Sequence, residues 1–516
     1  MSLFPHTRLF VEPSLAIVIS GPHIQILDAG TGDLTATTAN FPDAEKESVL
    51  KSGPIRVAAV DALGTHLVTC GDDKILKLWQ IDGLKLLNER ELPKRPTGLA
   101  FTRDGQTILT SDKFGDIFSY ELNPAPQTAE QKKTALASHE NPSGGKLILG
   151  HTSFLTAFLL TPDEKFIVTA DRDEHIRVSW YPQGYTIEMY CLGHKKFVSA
   201  LHIPESSPTE LISGGGDPML KIWDWMTGKL KREIPILEAV EPFIKVKPSR
   251  RTPRRFEEGG DENEEGTTKK KSRKAKARAK QQAKKEEMED SAAADPSPPE
   301  LPDADPPPET VLAIHRIHCL DRHIIFSVVG ATALFSCACS EDVTPEIHAF
   351  EFSKPVVDFT VAHDGRIWVS LDGQWSETGA DSADSTPTMV RVVQLSGNKL
   401  VDIPGVSLLS SLNSSCLLLA TIAQLKTLDI YQALSALPKN NEVEYDPMDR
   451  DAMEIGADNL SKKELGRLKS KQAVAKAHST LPASEEGPGE LDEPCSKRAK
   501  SQPSEQDPGD VAMDGS

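Results

Sequence analysis

A unit of strands and tight turns recurs along the first half of the chain. Residues 66–87 read HLVTCGDDKILKLWQIDGLKLL, residues 166–194 read FIVTADRDEHIRVSWYPQGYTIEMYCLGH, and residues 210–231 read ELISGGGDPMLKIWDWMTGKLK. Each is an apolar strand, a Gly/Asp turn, a second strand closing near an aromatic residue, another turn and a third strand. A period of roughly 40 residues marked by Gly-His and Trp-Asp is the signature of a β-propeller blade. One such sheet cannot bury its own apolar faces, so the blades must pack side by side. The expected fold is all-β, a seven-bladed WD-repeat β-propeller, whose usual role is to present a rigid surface to something else.

The packets fall at residues 14–39, 54–93, 96–122, 150–192, 193–236, 310–353 and 354–400, with a last set of strands from 401 to about 434. The count is about seven if the two ends share a blade, which would remove exposed sheet edges. This divides the chain into blades 1–5 over residues 1–245, a charged insertion over 246–309, the remaining blades over 310–434, and a tail over 435–516. A polar loop, residues 123–147, is placed between blades three and four. The insertion and tail carry too little apolar content to offset ordering entropy, so the reading for both is disorder. Within the tail, Ser461 and Glu464 form a capping box ahead of a short helical stretch.

The chain has 516 residues and a formal net charge of −18, which argues against gripping nucleic acid over its whole surface. Seven cysteines are scattered. Cys337 and Cys339 lie close together, but nothing nearby completes the four ligands of structural zinc, so no metal is expected. The usage fits a reducing compartment. The apolar run at 323–338 is broken by Gly330 and too short for a bilayer, and Pro5, Glu12 and Pro13 interrupt the start of the chain. A soluble intracellular protein is expected.

Asp73 and Trp79 are six residues apart, and so are Asp217 and Trp223. In WD repeats an Asp at this spacing pairs with a His at the Gly-His corner, here His151 and His194. Such buried polar groups are tolerated only when hydrogen-bonded. In the fourth blade Ser179 takes the Trp place, and Asp173 is assigned to the internal network. These residues read as structural.

Residues 269–285, KKKSRKAKARAKQQAKK, form a basic block, with a shorter SKRAK at 496–500. Without interleaved aromatics the block offers phosphate contacts but no base stacking. It reads as a nuclear import signal, so the expected location is the nucleus; tethering of nucleic acid is the alternative. No catalytic constellation is found. GTGDL at 30 and SGGGDP at 213 are turns, since no Lys-Ser/Thr follows to open a helix, and no Gly-x-Ser-x-Gly elbow is present.

ADRDEHIRVSW at 170–180, followed by GHKKFVS and GGDPMLKIWDW, closely resembles the WD-repeat, non-catalytic subunit of the tRNA (guanine-N7-)-methyltransferase; SDKFGDIFSY at 111–120 is similar to the same family's third blade. The resemblance is strong over residues 96–236 and absent from the insertion and tail. It implies a propeller with no cofactor of its own that binds a separate catalytic subunit. That subunit holds S-adenosylmethionine and methylates N7 of a guanine in the variable-loop region of tRNA. It also implies partner contacts at Lys113, Arg172, Glu174 and Arg177, with Lys195 and Lys196 as further candidates. Alternating charge on such a rim suits complementary pairing with one partner and rejects others, and Arg177 is expected to brace Glu174. The competing reading is a generic WD-repeat scaffold, such as a ubiquitin-ligase substrate adaptor or a chromatin-associated module. An enzyme in its own right would need a cofactor loop that the sequence lacks.

Overall fold

The computed structural model describes residues 2–124, 128, 130, 141, 143–248, 310–339, 345–375 and 388–438. These build seven antiparallel four-stranded sheets. Blade 1 spans residues 6–37, blade 2 55–91, blade 3 96–150, blade 4 155–191, blade 5 198–235, blade 6 314–351 and blade 7 356–402. Apolar residues alternate toward the two neighbours, and each adjacent pair of blades shares one buried layer. Ile17, Ile19 and Trp79 join blades 1 and 2. Val168, Val178 and Trp223 join blades 4 and 5. Phe326, Phe335 and Ile222 join blades 5 and 6. The last layer, with Leu9, Val18, Trp368 and Val392, joins blade 7 back to blade 1 and closes the ring. Each fully buried Leu, Ile or Phe in these layers contributes about 1.5–3 kcal/mol.

Three sequence expectations are corrected. Blade 1 begins at the strand His6–Val11, outside the packet assigned to it, so all four of its strands come from the start of the chain. Among the described residues no strand is exchanged at the seam. Residues 401 to about 434, expected as a last set of strands, finish the blade 7 strand Lys399–Asp402 and then form short helices, Ser407–Leu412 and Ile422–Leu428, with a third, Ala433–Ala436, running into the stretch expected as tail. Leucine-rich runs of this length carry no periodicity that separates strand from buried helix. Finally, the polar loop lies inside blade 3, because the outer strand Lys146–Gly150 belongs to that blade and pairs with Asp116–Glu121.

The helical segment fastens the seam from outside. His6 bridges Ser20 Oγ (2.7 Å) and the carbonyl of Leu412 (2.9 Å). Gln25 donates to the carbonyl of Cys416, Phe4 N–H to that of Leu418, and Ser407 Oγ to that of Gly30. The segment then crosses one mouth of the ring. Arg56 donates to the carbonyls of Thr427 and Leu428, Tyr431 donates to Asp372 (2.8 Å), and Leu434 and Leu437 pack with Phe197, Ala313 and Val329.

The innermost strand of every blade carries a β-bulge after its first residue. The inserted residues Thr7, Arg56, Thr97, Thr156, Ser199, His315 and Val357 line a central cavity of about 510 Å³. A bulge re-aims the side chain it inserts. Here Thr156 and Ser199 donate to the carbonyls of Val198 and Ile314, each on the next blade, and staple neighbours together.

Candidate partner-binding rim

Blade 5 shows how the turns on the helix-capped face are held. His194 Nδ1 meets Asp217 Oδ2 at 2.7 Å, its Nε2 meets Ser213 Oγ at 2.7 Å, and Trp223 Nε1 donates to the same hydroxyl at 2.8 Å. Asp217 also accepts from the Lys195 N–H. Burial would raise the Asp217 carboxyl, but the histidine and backbone donors hold it below its ordinary value. A Cβ on Gly215 would sit 1.9 Å from the carbonyl oxygen of Phe197, so the crossing closes only on glycine. Lys195 and Lys196 project, exposed, from this corner.

In blade 4 the partner of His151 is Asp171 (3.0 Å), not Asp173, and the second ring nitrogen meets Thr169 (2.8 Å). The six-residue spacing pointed at Asp173 because Ser179 holds the Trp register; the corner instead takes the carboxylate two residues earlier. Asp171 Oδ1 accepts from the N–H groups of Asp173 and His175. Residues 172–174, which this turn carries, are half-buried, and the Arg172 Nε is buried. Glu174 sits at φ 78°, a left-handed conformation that costs a non-glycine residue about 1 kcal/mol or more. Arg172 is tied at its N–H to the carbonyl of Phe154.

Arg177 departs from its expected place. It is buried, and its guanidinium donates to the carbonyl of Gly150 at 3.1 Å on the edge of blade 3, not to Glu174. Burial lowers its affinity for its proton, with Tyr190 opposing. Arg177 therefore positions the blade edge behind the rim. In blade 2 Trp79 donates to Thr69 (2.9 Å), while Asp73 caps the Ile75 N–H and lies 3.6 Å from Lys77.

Blade 3 repeats the blade 4 turn. Asp112 Oδ1 accepts from the N–H groups of Phe114 and Asp116, which projects Lys113 and Phe114. Phe114 is 61% exposed, and Lys94 Nζ stands 4.5 Å over its ring. Sequence reasoning missed this pair; the signal was an aromatic residue between a turn Lys and Gly115. Across three blades the rim thus offers Lys94, Lys113, Arg172, Lys195 and Lys196, interrupted by Asp173 and Glu174, beside one exposed aromatic. Exposed ion pairs contribute little singly, whereas a desolvated aromatic or Arg anchor can dominate an interface.

Among the described residues no cluster of three His, Cys, Asp or Glu could hold a metal ion. Burial pushes the thiols of Cys319 and Cys337 well above their ordinary value. The basic runs at 269–285 and 496–500 and the capping box of Ser461 and Glu464 lie outside the described residues.

The family model of the tRNA methyltransferase TRM82 WD40 domain matches residues 35–145 and 127–394, from the last strand of blade 1 into blade 7. The chain belongs to the TRM82 WD40 family. Similar TRM82 proteins include a tRNA (guanine-N(7)-)-methyltransferase non-catalytic subunit of Aspergillus oryzae, 39% identical over 37% of this chain and 48% of that one. One of Coccidioides immitis is 37% identical over 46% of this chain and 64% of that one, and one of Vanderwaltozyma polyspora is 34% identical over 37% and 42%. The chain thus spans about half the length of the curated TRM82 relatives it matches.

Proposed function

We propose that this chain is the non-catalytic WD-repeat subunit of a tRNA (guanine-N7-)-methyltransferase. It binds a catalytic subunit through the rim of blades 3–5 and performs no methyl transfer itself. Membership in the TRM82 WD40 family carries this reading, supported by relatives named as non-catalytic subunits. S-adenosylmethionine belongs on the partner, and tRNA is held by the complex. The basic block at 269–285 directs the protein to the nucleus.

In mechanism, the ring contributes rigidity. Asp112, Asp171 and Asp217 fix the turns by side-chain acceptance of backbone N–H groups, so the charges beyond them are pre-placed and lose little entropy on binding. Lys113, Arg172, Lys195 and Lys196 then meet carboxylates of the partner, while Glu174 meets a cation. Coexpression with a tRNA guanine-N7 methyltransferase subunit tests the assignment. The two chains are expected to elute together and to form N7-methylguanosine in tRNA, which neither forms alone. Arg172→Glu and Glu174→Lys are each expected to weaken co-elution at least tenfold with the propeller still folded. If both reversals leave co-elution and methylation intact, the rim is not the interface.

A further inference from the structure

The central cavity is lined by more cation than anion, arranged in two matching groups. On one wall Asp358 of blade 7 is flanked by Arg316 of blade 6 at 3.1 Å and Arg8 of blade 1 at 3.6 Å. Asp358 is only 2% exposed, whereas the side chains of Arg8 and Arg316 are 35% and 26% exposed toward the cavity. Near the capped mouth, Asp72 pairs with both Arg56 (2.9 Å) and Arg95 (3.1 Å), which also line the cavity. Each carboxylate is thus shared by two guanidiniums. Lys113 lies on the same lining, and Asp429 is the one further acid there.

Two guanidiniums on one carboxylate leave one positive charge uncompensated, and a charge withdrawn from bulk water is costly unless paired. Arg8 registers that cost: its pKa is pushed down to about 10, first by burial and then by the neighbouring Arg316, against the pull of Asp358. Its Nε is buried without a hydrogen-bond partner among the described residues. Planar guanidinium forks match phosphate oxygens in geometry as well as charge. The volume of about 510 Å³ falls within the range of small-ligand pockets. The bulge hydroxyls are engaged, those of Thr156 and Ser199 on the next blade and those of Thr7 and Thr97 within their own; Arg56 also donates to the carbonyls of Thr427 and Leu428 and so contributes mainly charge, while Arg8, Arg95 and Arg316 line the cavity beside it.

We infer that the central cavity is a binding site for a compact, multiply charged phosphate compound, held between the Arg8–Arg316 pair and the Arg56–Arg95 pair. Occupancy would neutralise the surplus charge of both groups and tie blades 1, 2, 3 and 6 together through one ligand. The site meets the partner rim at Lys113, which neither arginine pair requires, and it does not depend on the rim's assignment.

Purified full-length chain is titrated calorimetrically with inositol hexakisphosphate, pyrophosphate and inorganic phosphate, with thermal unfolding followed in parallel. Arg8→Gln leaves Asp358 paired with Arg316, and Arg95→Gln leaves Asp72 paired with Arg56. Each variant removes surplus charge without orphaning a carboxylate. A third full-length variant replaces the Lys and Arg residues of 269–285 by Gln, to separate the cavity from the basic run. Affinity is expected to rise with ligand charge, to fall at least tenfold in Arg8→Gln and again in the double variant, and to persist in the basic-run variant. The unfolding midpoint should rise with ligand concentration. Absence of binding by wild type, equal binding by wild type and the double variant, or loss of binding in the basic-run variant alone would each overturn the proposal. If Arg8→Gln does not fold, Arg95→Gln decides the question alone.

Discussion

Blades 4 and 5 are adjacent sheets built around the same corner, a histidine bridging a turn aspartate and a strand hydroxyl. In blade 5 the network runs on to Trp223, fully buried, and the turn between the two strands is small and nearly neutral: Gly215, Gly216, Asp217, Pro218. In blade 4 the equivalent place holds Ser179, whose hydroxyl is buried without a partner among the described residues, and Thr169 donates to its own blade at the carbonyl of Arg177. The tryptophan stands one residue on, at the surface, where Trp180 Nε1 meets Glu188. Its turn is dense with charge and includes a strained Glu174. One blade completes its internal network; its neighbour gives up the last link and displays charge on the turn. Strain and unmet local rules concentrate at functional places, and the proposed partner surface lies on the blade that departs from the repeat.

The contrast can be broken most forcefully at the tryptophan position. Trp223→Ala is expected to destabilise the fold by about 3–5 kcal/mol, the cost of emptying a fully packed aromatic site. Ser179→Ala should be neutral or stabilising, because it removes an unsatisfied hydroxyl. Urea unfolding of both variants measures the difference, and a comparable loss in the two would abolish the distinction. At the corner, His194→Ala and His151→Ala should each cost about 1–3 kcal/mol by leaving buried oxygens unpaired. The blade 5 change should be the larger, since Ser213 there also anchors the indole; a double-mutant cycle of His194 with Trp223 should show coupling.

Glu174→Gly sharpens the comparison in the opposite direction. Relief of the left-handed strain should stabilise the propeller by about 1 kcal/mol while weakening capture of the catalytic subunit, read by thermal shift and co-elution. A variant that stabilises without touching capture would reduce the turn to a structural accident.

The smallest effect is one of pH. The inner strand of blade 5 ends at His202, whose Nε2 accepts the Cys319 N–H of blade 6. Blade 4 is stapled to blade 5 by a threonine that does not titrate. His202 is pushed down to about 3, by burial first and His318 second; His23 of blade 1 is pushed down to about 4, by burial first and Lys46 second. In the unfolded chain each titrates at about 6.5. Their contribution is therefore full above that value and is lost as pH falls toward the folded values. Stability should drop by about 0.7 kcal/mol per such histidine between pH 7 and pH 6. His202→Gln, which keeps an acceptor, should flatten that slope in unfolding measured across the same interval.

The ring itself was legible because strand, turn and Trp-Asp marks recur at fixed spacing: blade 5 carries them in full, blade 2 keeps the Asp73–Trp79 spacing and blade 4 keeps the His151 corner. What escaped was what the spacing does not encode. The strand His6–Val11 reads HTRLFV, and its Arg8 makes it look polar until the cavity that receives the arginine exists. The same holds for Arg56 and Arg316, whose placement depends on a bulge visible only in the paired register. The exchange of Asp173 for Asp171 follows from a two-residue choice within one turn, and the burial of Arg177 from the neighbouring blade's edge.

Because every sheet is assembled from four successive strands, none has to wait for a strand made hundreds of residues later. The first sheet can finish while the last is still unsynthesised, and closure becomes the docking of two completed surfaces followed by the latching of a short helical strap over His6 and Gln25. The strap, then, sets when the circle becomes whole rather than whether its parts can form.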